Sequence, residues 1–223
     1  MEPTTSSVHD VDGDDGTELT AAQRLAVIDA QEQATQRQLE PDPLLMLGPW
    51  GVAWLLGFGL LFLRFGPDGR TFVDLPDWLP LATLFTGLVL AATITAVLGY
   101  RSYHGIEGPS SLQGAMYGWS WFLGFGALMP IVARMGNQLP ADEEGLLWGA
   151  AAVALTGVLY MAGGAVWRDR WMFALGAWIA TTNVIGAMAG PGWHSLIVAV
   201  AGGGGLLLAG VTTTVVMRRR RAR

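Results

Sequence analysis

The chain of 223 residues contains no cysteine, and only 14% of its residues are charged. Soluble domains typically carry about 25% charged residues. Without cysteine the chain has no disulfide framework, no thiolate metal site and no cysteine nucleophile. The scarcity of charge, together with 52% hydrophobic residues, excludes an ordinary soluble domain and predicts a polytopic membrane protein.

Six apolar stretches are long enough to cross a bilayer, because a hydrocarbon core of roughly 30 Å needs about 20 helical residues. Asp, Glu, Lys and Arg are absent from the interiors of these stretches, and Gly, Pro and charged residues separate them. The sequence therefore predicts an all-α fold of six transmembrane helices, arranged as three helical hairpins within residues 46–217. The predicted spans are 46–65, 79–100, 114–133, 146–167, 171–189 and 194–217.

The distribution of arginine predicts the orientation. All 13 basic residues are arginine, and an even number of spans places both termini on one side. Arg64, Arg70 and Arg134 fall in the connections on the other side, and the remaining ten fall on the side of the termini. Basic residues accumulate on the cytoplasmic side. We therefore expect a multi-pass protein of the inner cell membrane with both termini cytoplasmic.

The first 42 residues differ from the rest of the chain, since they hold 10 of the 18 acidic residues. Residues 1–17 are polar and acidic, which predicts a disordered tail. Thr20 and Gln23 have the spacing of a capping box and open a predicted cytoplasmic helix over residues 18–42. This helix either binds a partner or another copy of itself, or serves as a solvated spacer.

A short repeat links the first and third spans. The nine residues that start at position 51 (GVAWLLGFG) match those that start at 118 (GWSWFLGFG) at six positions. Both spans cross the membrane in the same direction, so the repeat predicts a duplicated two-helix hairpin in parallel orientation. The spacing puts one glycine and two aromatic residues of each copy on one helix face, which is either a packing seam or an aromatic-lined pocket. These residues are Gly51, Trp54, Phe58, Gly118, Trp121 and Phe125.

Polar residues inside the spans are few. The densest cluster is Thr181, Thr182 and Asn183, and Asn183 is the only side-chain amide at membrane depth. Such groups either bond a neighbouring helix or line the path of a small molecule. Proton relays and ion-coupled transporters nearly all need an ionisable residue within the membrane, and none is expected here. Proton-coupled transport by this chain alone is therefore not expected.

Two further features each have two interpretations. The run from Gly202 to Gly205 in the sixth span is either a close helix crossing or a flexible point. The basic tail, residues 218–223, either anchors the topology or binds anionic lipid. Its candidate lipid contacts are Arg218, Arg219, Arg220 and Arg221.

Signatures of catalysis are missing from the sequence. It contains no H-E-x-x-H, no complete G-x-S-x-G and no Walker A motif, and its three histidines lie far apart. We therefore predict no catalytic residue, no metal or cofactor site and no nucleic-acid partner. The chain is expected not to be an enzyme.

Several motifs carry a resemblance to a known group of proteins. They are the acidic tail, a short Ala- and Gln-rich helix that ends at Pro41-Asp42-Pro43, the opening Gly48-Pro49-Trp50-Gly51, and the segments 114–119 (GAMYGW) and 161–170 (MAGGAVWRDR). Together they resemble small six-span, transporter-like membrane proteins of high-GC Gram-positive bacteria. The resemblance covers most of residues 20–223 and implies the topology, but no substrate and no catalytic residue.

These patterns favour a transport-related membrane component or permease-like subunit, either a homo-oligomer or paired with a second membrane subunit. The parallel repeat and the small soluble mass support this interpretation. The alternative is a membrane-anchored interaction or regulatory module that recruits a cytoplasmic protein through residues 1–42.

Overall fold

A computed structural model describes residues 20–27, 31, 42–103 and 109–221. Six helices in these ranges are long and apolar enough to cross a membrane, and the described residues contain no strand, which confirms the predicted all-α, six-span fold. The helices are α1 (Pro43–Arg64), α2 (Trp78–Tyr103), α3 (Pro109–Gly136), α4 (Ala141–Trp167), α5 (Arg170–Ala189) and α6, which runs continuously through Trp193–Ile197, Val198–Gly203 and Gly204–Arg221.

Local capping residues set where helices begin. Asp42 caps α1 by accepting a hydrogen bond from the backbone N–H of Leu44, and Pro43 occupies the first helical position, where its missing N–H costs nothing. Asp169 caps α5 in the same way. The turn between α5 and α6 needs glycine at two positions, because Gly190 and Gly192 have φ of 91° and 79°.

The helices pack in an order of neighbours that differs from their order in the chain. α1 packs along both α2 and α6, α5 packs along both α4 and α6, and α3 packs on α4. The order of neighbours is therefore α2, α1, α6, α5, α4, α3. The two end helices bury little of their apolar length, 11% for α2 and 6% for α3 against 33% for α1. The predicted grouping into three hairpins stays a prediction.

The main hydrophobic core lies where α1, α2, α4, α5 and α6 meet. None of the described side chains of α3 belongs to this cluster. The buried members of the core are Trp54, Phe58, Leu84, Val153, Ile179, Val198, Ala199 and Leu206. The core therefore sits in the middle of the neighbour order and not around the last helix in that order.

The glycine run of α6 is a close helix crossing. A Cβ atom on Gly203 would lie 2.7 Å from the backbone nitrogen of Leu55, and one on Gly202 would lie 3.0 Å from the ring of Trp54. The segment Val198–Gly203 has π-helical hydrogen bonding, and Trp178 Nε1 donates a hydrogen bond of 2.8 Å to the carbonyl oxygen of Ala201. Of the two interpretations of this run, the structure supports the crossing.

The start of α1 and the end of α6 meet at one end of the bundle, which we call the terminal end. Thr214 Oγ1 donates a hydrogen bond of 2.7 Å to the Asp42 carboxylate, and Arg218 lies 3.6 Å from that carboxylate. The hydrogen bond from Thr214, then that from the Leu44 N–H, and the charge of Arg218 hold the pKa of Asp42 below its usual value of 3.8 despite an opposing contribution from burial.

The opposite end of the bundle, which we call the loop end, contains the connections 65–77, 137–140 and 190–192. The Arg64 guanidinium holds the first connection through Asp77, with N–O distances of 2.7 and 2.8 Å. Gly192 lies directly against the backbone of Gly66 and Pro67, where a Cβ atom would have no room. The connection after α1 therefore packs on the turn between α5 and α6.

Residues 1–40 form a unit separate from the bundle. Residues 21–27 and 31 are helical, and the predicted capping box is formed. The Thr20 N–H donates to Gln23 Oε1 at 2.8 Å, and the Gln23 N–H donates to Thr20 Oγ1 at 3.3 Å. The rest of the predicted helix over residues 18–42, apart from Asp42, lies outside the described residues, as do the predicted acidic tail 1–17 and residues 222 and 223.

Candidate functional site

A buried polar pair joins α5 and α6 inside the bundle. His194 Nε2 lies 2.8 Å from Asn183 Oδ1, and Asn183 Nδ2 donates a hydrogen bond of 2.9 Å to the carbonyl oxygen of Ala150 on α4. The two residues are only 2% and 4% exposed. Because an amide oxygen only accepts hydrogen bonds, this arrangement requires the His194 Nε2 atom to carry a proton and to donate it.

Glycines on the two neighbouring helices make room for the imidazole ring. A Cβ atom on Gly149 of α4 would lie 3.0 Å from His194 Cε1, and one on Gly186 of α5 would lie 3.0 Å from His194 Cδ2. Phe58 of α1 packs edge to face with the ring at a centroid distance of 6.3 Å. The pair is therefore enclosed by α1, α4 and α5 around the first turn of α6.

The first copy of the repeat belongs to this cluster. Phe58 contacts His194, and Trp54 packs edge to face on Phe58 at 5.9 Å. Gly51 lies against α6, since a Cβ atom there would be 2.9 Å from the carbonyl oxygen of Gly203. Trp54 and Phe58 thus fill the space between helices, which is the behaviour of a packing seam. They meet the polar pair through the contact of Phe58 with His194.

The second copy lies elsewhere. Trp121 of α3 packs edge to face on Tyr160 of α4 at 5.7 Å and stacks on Phe125 at 6.2 Å. A Cβ atom on Gly118 would meet no atom of the described residues within 4 Å. Gly118 also lines an open groove of about 360 Å³ on the outside of α3, together with Ala115, Trp119 and Phe122. The repeat therefore does not form two equivalent faces.

Sequence reasoning missed His194. The residue opens the last predicted span, beside Trp193, at a position that marks the end of a span rather than the membrane interior. Its partner Asn183 lies on a different helix, so no helical spacing links the two. The feature that could have identified it is a histidine inside a predicted span, because ionisable residues in membrane spans commonly mark functional sites. The expectation that no ionisable residue lies within the membrane stays a prediction, and His194 is a buried ionisable residue at the second position of the sixth candidate span.

The candidate lipid contacts at the end of α6 lie at the terminal end. Arg218 is exposed and pairs with Asp42, and Arg219 is also exposed. The side chains of Arg220 and Arg221 lie outside the described residues. Within the described ranges, no group of three or more His, Asp or Glu side chains is placed to hold a metal ion.

The six apolar helices define an integral, multi-pass membrane protein. No protein-family model matches the chain, and no curated protein and no solved structure is significantly similar to it. The resemblance to six-span transporter-like proteins therefore rests on the sequence motifs alone.

Proposed function

We propose that this membrane protein is a transport-related component or permease-like subunit, and that the His194–Asn183 pair is its polar centre. The observation that carries the proposal is the burial of this pair among apolar helices, with a hydrogen bond of 2.8 Å between the two side chains. Polar groups at membrane depth are costly to bury, and they commonly mark pathways for substrates or ions.

The chemistry of the pair favours recognition over catalysis. A neutral imidazole and an amide donate and accept hydrogen bonds, which suits small polar solutes. Among the described residues, neither side chain bonds a hydroxyl that it could activate as a nucleophile, as the pair bonds to itself and to Ala150. We therefore propose a function without an enzymatic step and without a cofactor.

The orientation of the bundle in the membrane and the surroundings of its outer helices are part of the same proposal. The arginine-rich terminal end faces the cytoplasm and the loop end faces outward, in keeping with the preference of basic residues for the cytoplasmic side. The little-buried helices α2 and α3 face lipid, a second copy of the chain or a second membrane subunit.

A comparison of solute contents between cells tests the transport proposal for many solutes at once. Cells that lack the protein, and cells that express it, are compared for solutes inside and outside by mass spectrometry. Asn183→Leu and His194→Gln are expected to abolish every difference that the intact protein causes. The matched control is Thr181→Val, because Thr181 is exposed on the same helix and bonds only the Ala177 carbonyl of its own helix.

Two results would overturn the proposal. One is an intact protein that changes no solute. The other is a pair of variants that reach the membrane in normal amounts and cause the same solute changes as the intact protein.

The second candidate is a membrane-anchored module that recruits a cytoplasmic protein through residues 1–42. The observation that favours it is the exposure of Leu25 and Val27 on the helical residues 21–27, within a unit separate from the bundle. Removal of residues 1–40 tests it while leaving the Asp42 cap of α1 in place. This truncation is expected to spare solute changes if the first proposal holds. If the second holds, the truncated protein is expected no longer to crosslink to a soluble protein that crosslinks to the full chain.

A further inference from the structure

The two ends of the bundle carry charges of opposite sign. At the loop end, Arg64, Arg70 and Arg134 are outnumbered by acidic residues, which are Asp68, Asp74, Asp77, Asp142, Glu143 and Glu144. At the terminal end, arginines dominate. Two of them, Arg168 and Arg170, lie in the tight turn between α4 and α5, flanked by Trp167 and Trp171.

Arg168 occupies a backbone conformation that favours glycine. It follows the last residue of α4 in the left-handed region, with φ of 55° and ψ of 32°. Helices commonly end with glycine in this conformation, because a side chain there costs backbone strain. In this chain the position is occupied by Arg168 despite the strain. Strained positions that persist often serve a function.

Arg170 also opposes local stability. It is the first residue of α5, where the partial positive charge of the helix N-terminus repels a cation. Asp169 offsets part of this cost by accepting hydrogen bonds from the backbone N–H groups of Trp171 and Met172, at 2.8 and 3.1 Å. The arginines at the end of α6 differ, because a helix C-terminus attracts cations and Arg218 has Asp42 as a partner.

Both turn arginines are exposed, and neither forms an ion pair with any residue that the structure describes. Trp171 beside them is 81% exposed, as expected for an indole that lies among lipid headgroups. The turn therefore presents two exposed guanidinium groups against the single carboxylate of Asp169, which is engaged in capping α5. Guanidinium groups bind phosphate oxygens through paired, charge-assisted hydrogen bonds.

We propose that the turn of residues 167–171 is a binding site for the phosphate of an anionic phospholipid headgroup, contacted by Arg168 and Arg170 beside the indole of Trp171. The site lies in the connection of α4 and α5, and is distinct from the basic tail at the end of α6. It does not depend on the proposed transport function.

Thermal unfolding of the full-length protein in a neutral detergent tests the site. Phosphatidylglycerol is titrated in, with phosphatidylcholine and inorganic phosphate as separate additions. Arg168→Gly combined with Arg170→Gln is expected to weaken the apparent affinity for phosphatidylglycerol about tenfold, because each arginine near an anionic surface contributes to binding. Without lipid, this variant is expected to melt at the same or a higher temperature, because the strain and the unfavourable charge are removed.

Two control variants match these changes at the loop end. Arg70→Gln combined with Arg134→Gln removes two exposed cations and is expected to leave the lipid response unchanged. Asp68→Gly relieves the other non-glycine residue with positive φ, 56°, and is expected to raise the melting temperature without altering the lipid response. Arg168→Gly alone provides a milder variant should the double variant fail to fold.

Four results would overturn the site. The first is a double variant that keeps the full response to phosphatidylglycerol. The second and third are an intact protein that responds to phosphatidylcholine, or to inorganic phosphate, as strongly as to phosphatidylglycerol. The fourth is loss of the response to phosphatidylglycerol in Arg219→Gln but not in the turn variants. Equal stabilisation by inorganic phosphate would show a phosphate site rather than a lipid site.

Discussion

The two copies of the repeat have nearly the same sequence and very different surroundings. In α1, Trp54 and Phe58 are 6% and 7% exposed, and Gly51 touches α6. In α3, Trp121 and Phe125 are only partly buried, and Gly118 touches no other helix among the described residues. The motif sets which side chains share a face. How deeply that face is buried depends on how many helices surround it.

The order of neighbours explains the difference. α1 lies between α2 and α6, whereas α3 is the last helix in the order and packs mainly on α4. Gly51 allows α6 to approach α1 closely, whereas Gly118, at the equivalent position of the second copy, faces open space. Equal substitutions in the two copies separate the effect of the motif from the effect of its position.

The largest expected contrast is that between the two tryptophans. Trp54→Ala is expected to lower the free energy of unfolding by about 3–5 kcal/mol, because it opens a cavity in the main core. Trp121→Ala is expected to cost clearly less, since its ring is partly exposed. Unfolding in a mixed detergent series, followed by circular dichroism, measures both. Equal losses would contradict the ranking of the two copies.

The glycines provide a smaller contrast of opposite sign. A Cβ atom on Gly51 would lie 2.8 Å from Leu207 Cγ, so Gly51→Ala is expected to destabilise the fold by about 1–3 kcal/mol through overpacking. Gly118→Ala has open space and is expected to be neutral or to stabilise α3 by up to about 1 kcal/mol, through helix propensity. The melting temperatures of the two variants in one detergent compare them. A loss in Gly118→Ala would show that a second copy or another subunit occupies that face in the sample.

The sequence predicts the features that depend on local properties. Apolar length identifies the six helices, and the spacing of Thr20 and Gln23 predicts the capping box that is observed. It does not predict that Trp54 is buried and Trp121 is not, or that Asn183 meets His194. Both depend on which helices are neighbours in space, and tertiary packing of long apolar helices leaves little trace in their own pattern.

A third contrast lies on one helix and concerns the polar pair. Asn183→Leu leaves the buried His194 Nε2–H without its acceptor and is expected to cost about 1 kcal/mol, since hydrogen bonds within membranes contribute modestly. Thr181→Leu, two residues away on an exposed position, removes only a bond to its own helix and is expected to change stability little. The unfolding assay used for the tryptophans measures both. An equal effect of the two changes would contradict a specific role for the pair in stability.

The smallest contrast concerns the contact that holds α6 against the start of α1. Thr214 and Arg218 stabilise the charged form of Asp42, and its pKa in the folded state lies below the usual 3.8. Its contribution to stability is therefore fully present above pH 3.8 and is lost as the pH falls through the lower, folded value. Asp42→Asn retains a capping side chain and removes the charge. The variant is expected to be less stable than the intact protein by about a few tenths of a kcal/mol at pH 6, a size typical of partly exposed ion pairs.

The difference between the two proteins should shrink as the pH falls from 3.8 through the lower, folded-state pKa of Asp42, because protonated Asp42 then carries no charge either. Melting temperatures measured from pH 6 down to pH 3 follow this convergence. Thr214→Val is the matched change on the other helix, since it removes the donor and leaves the carboxylate in place. It is expected to bring the pKa of Asp42 closer to its usual value and so to move the convergence to higher pH. A stability difference that stays constant over this range would place the origin of the effect in the helix cap alone, and not in the charged contact between the end of α6 and the start of α1.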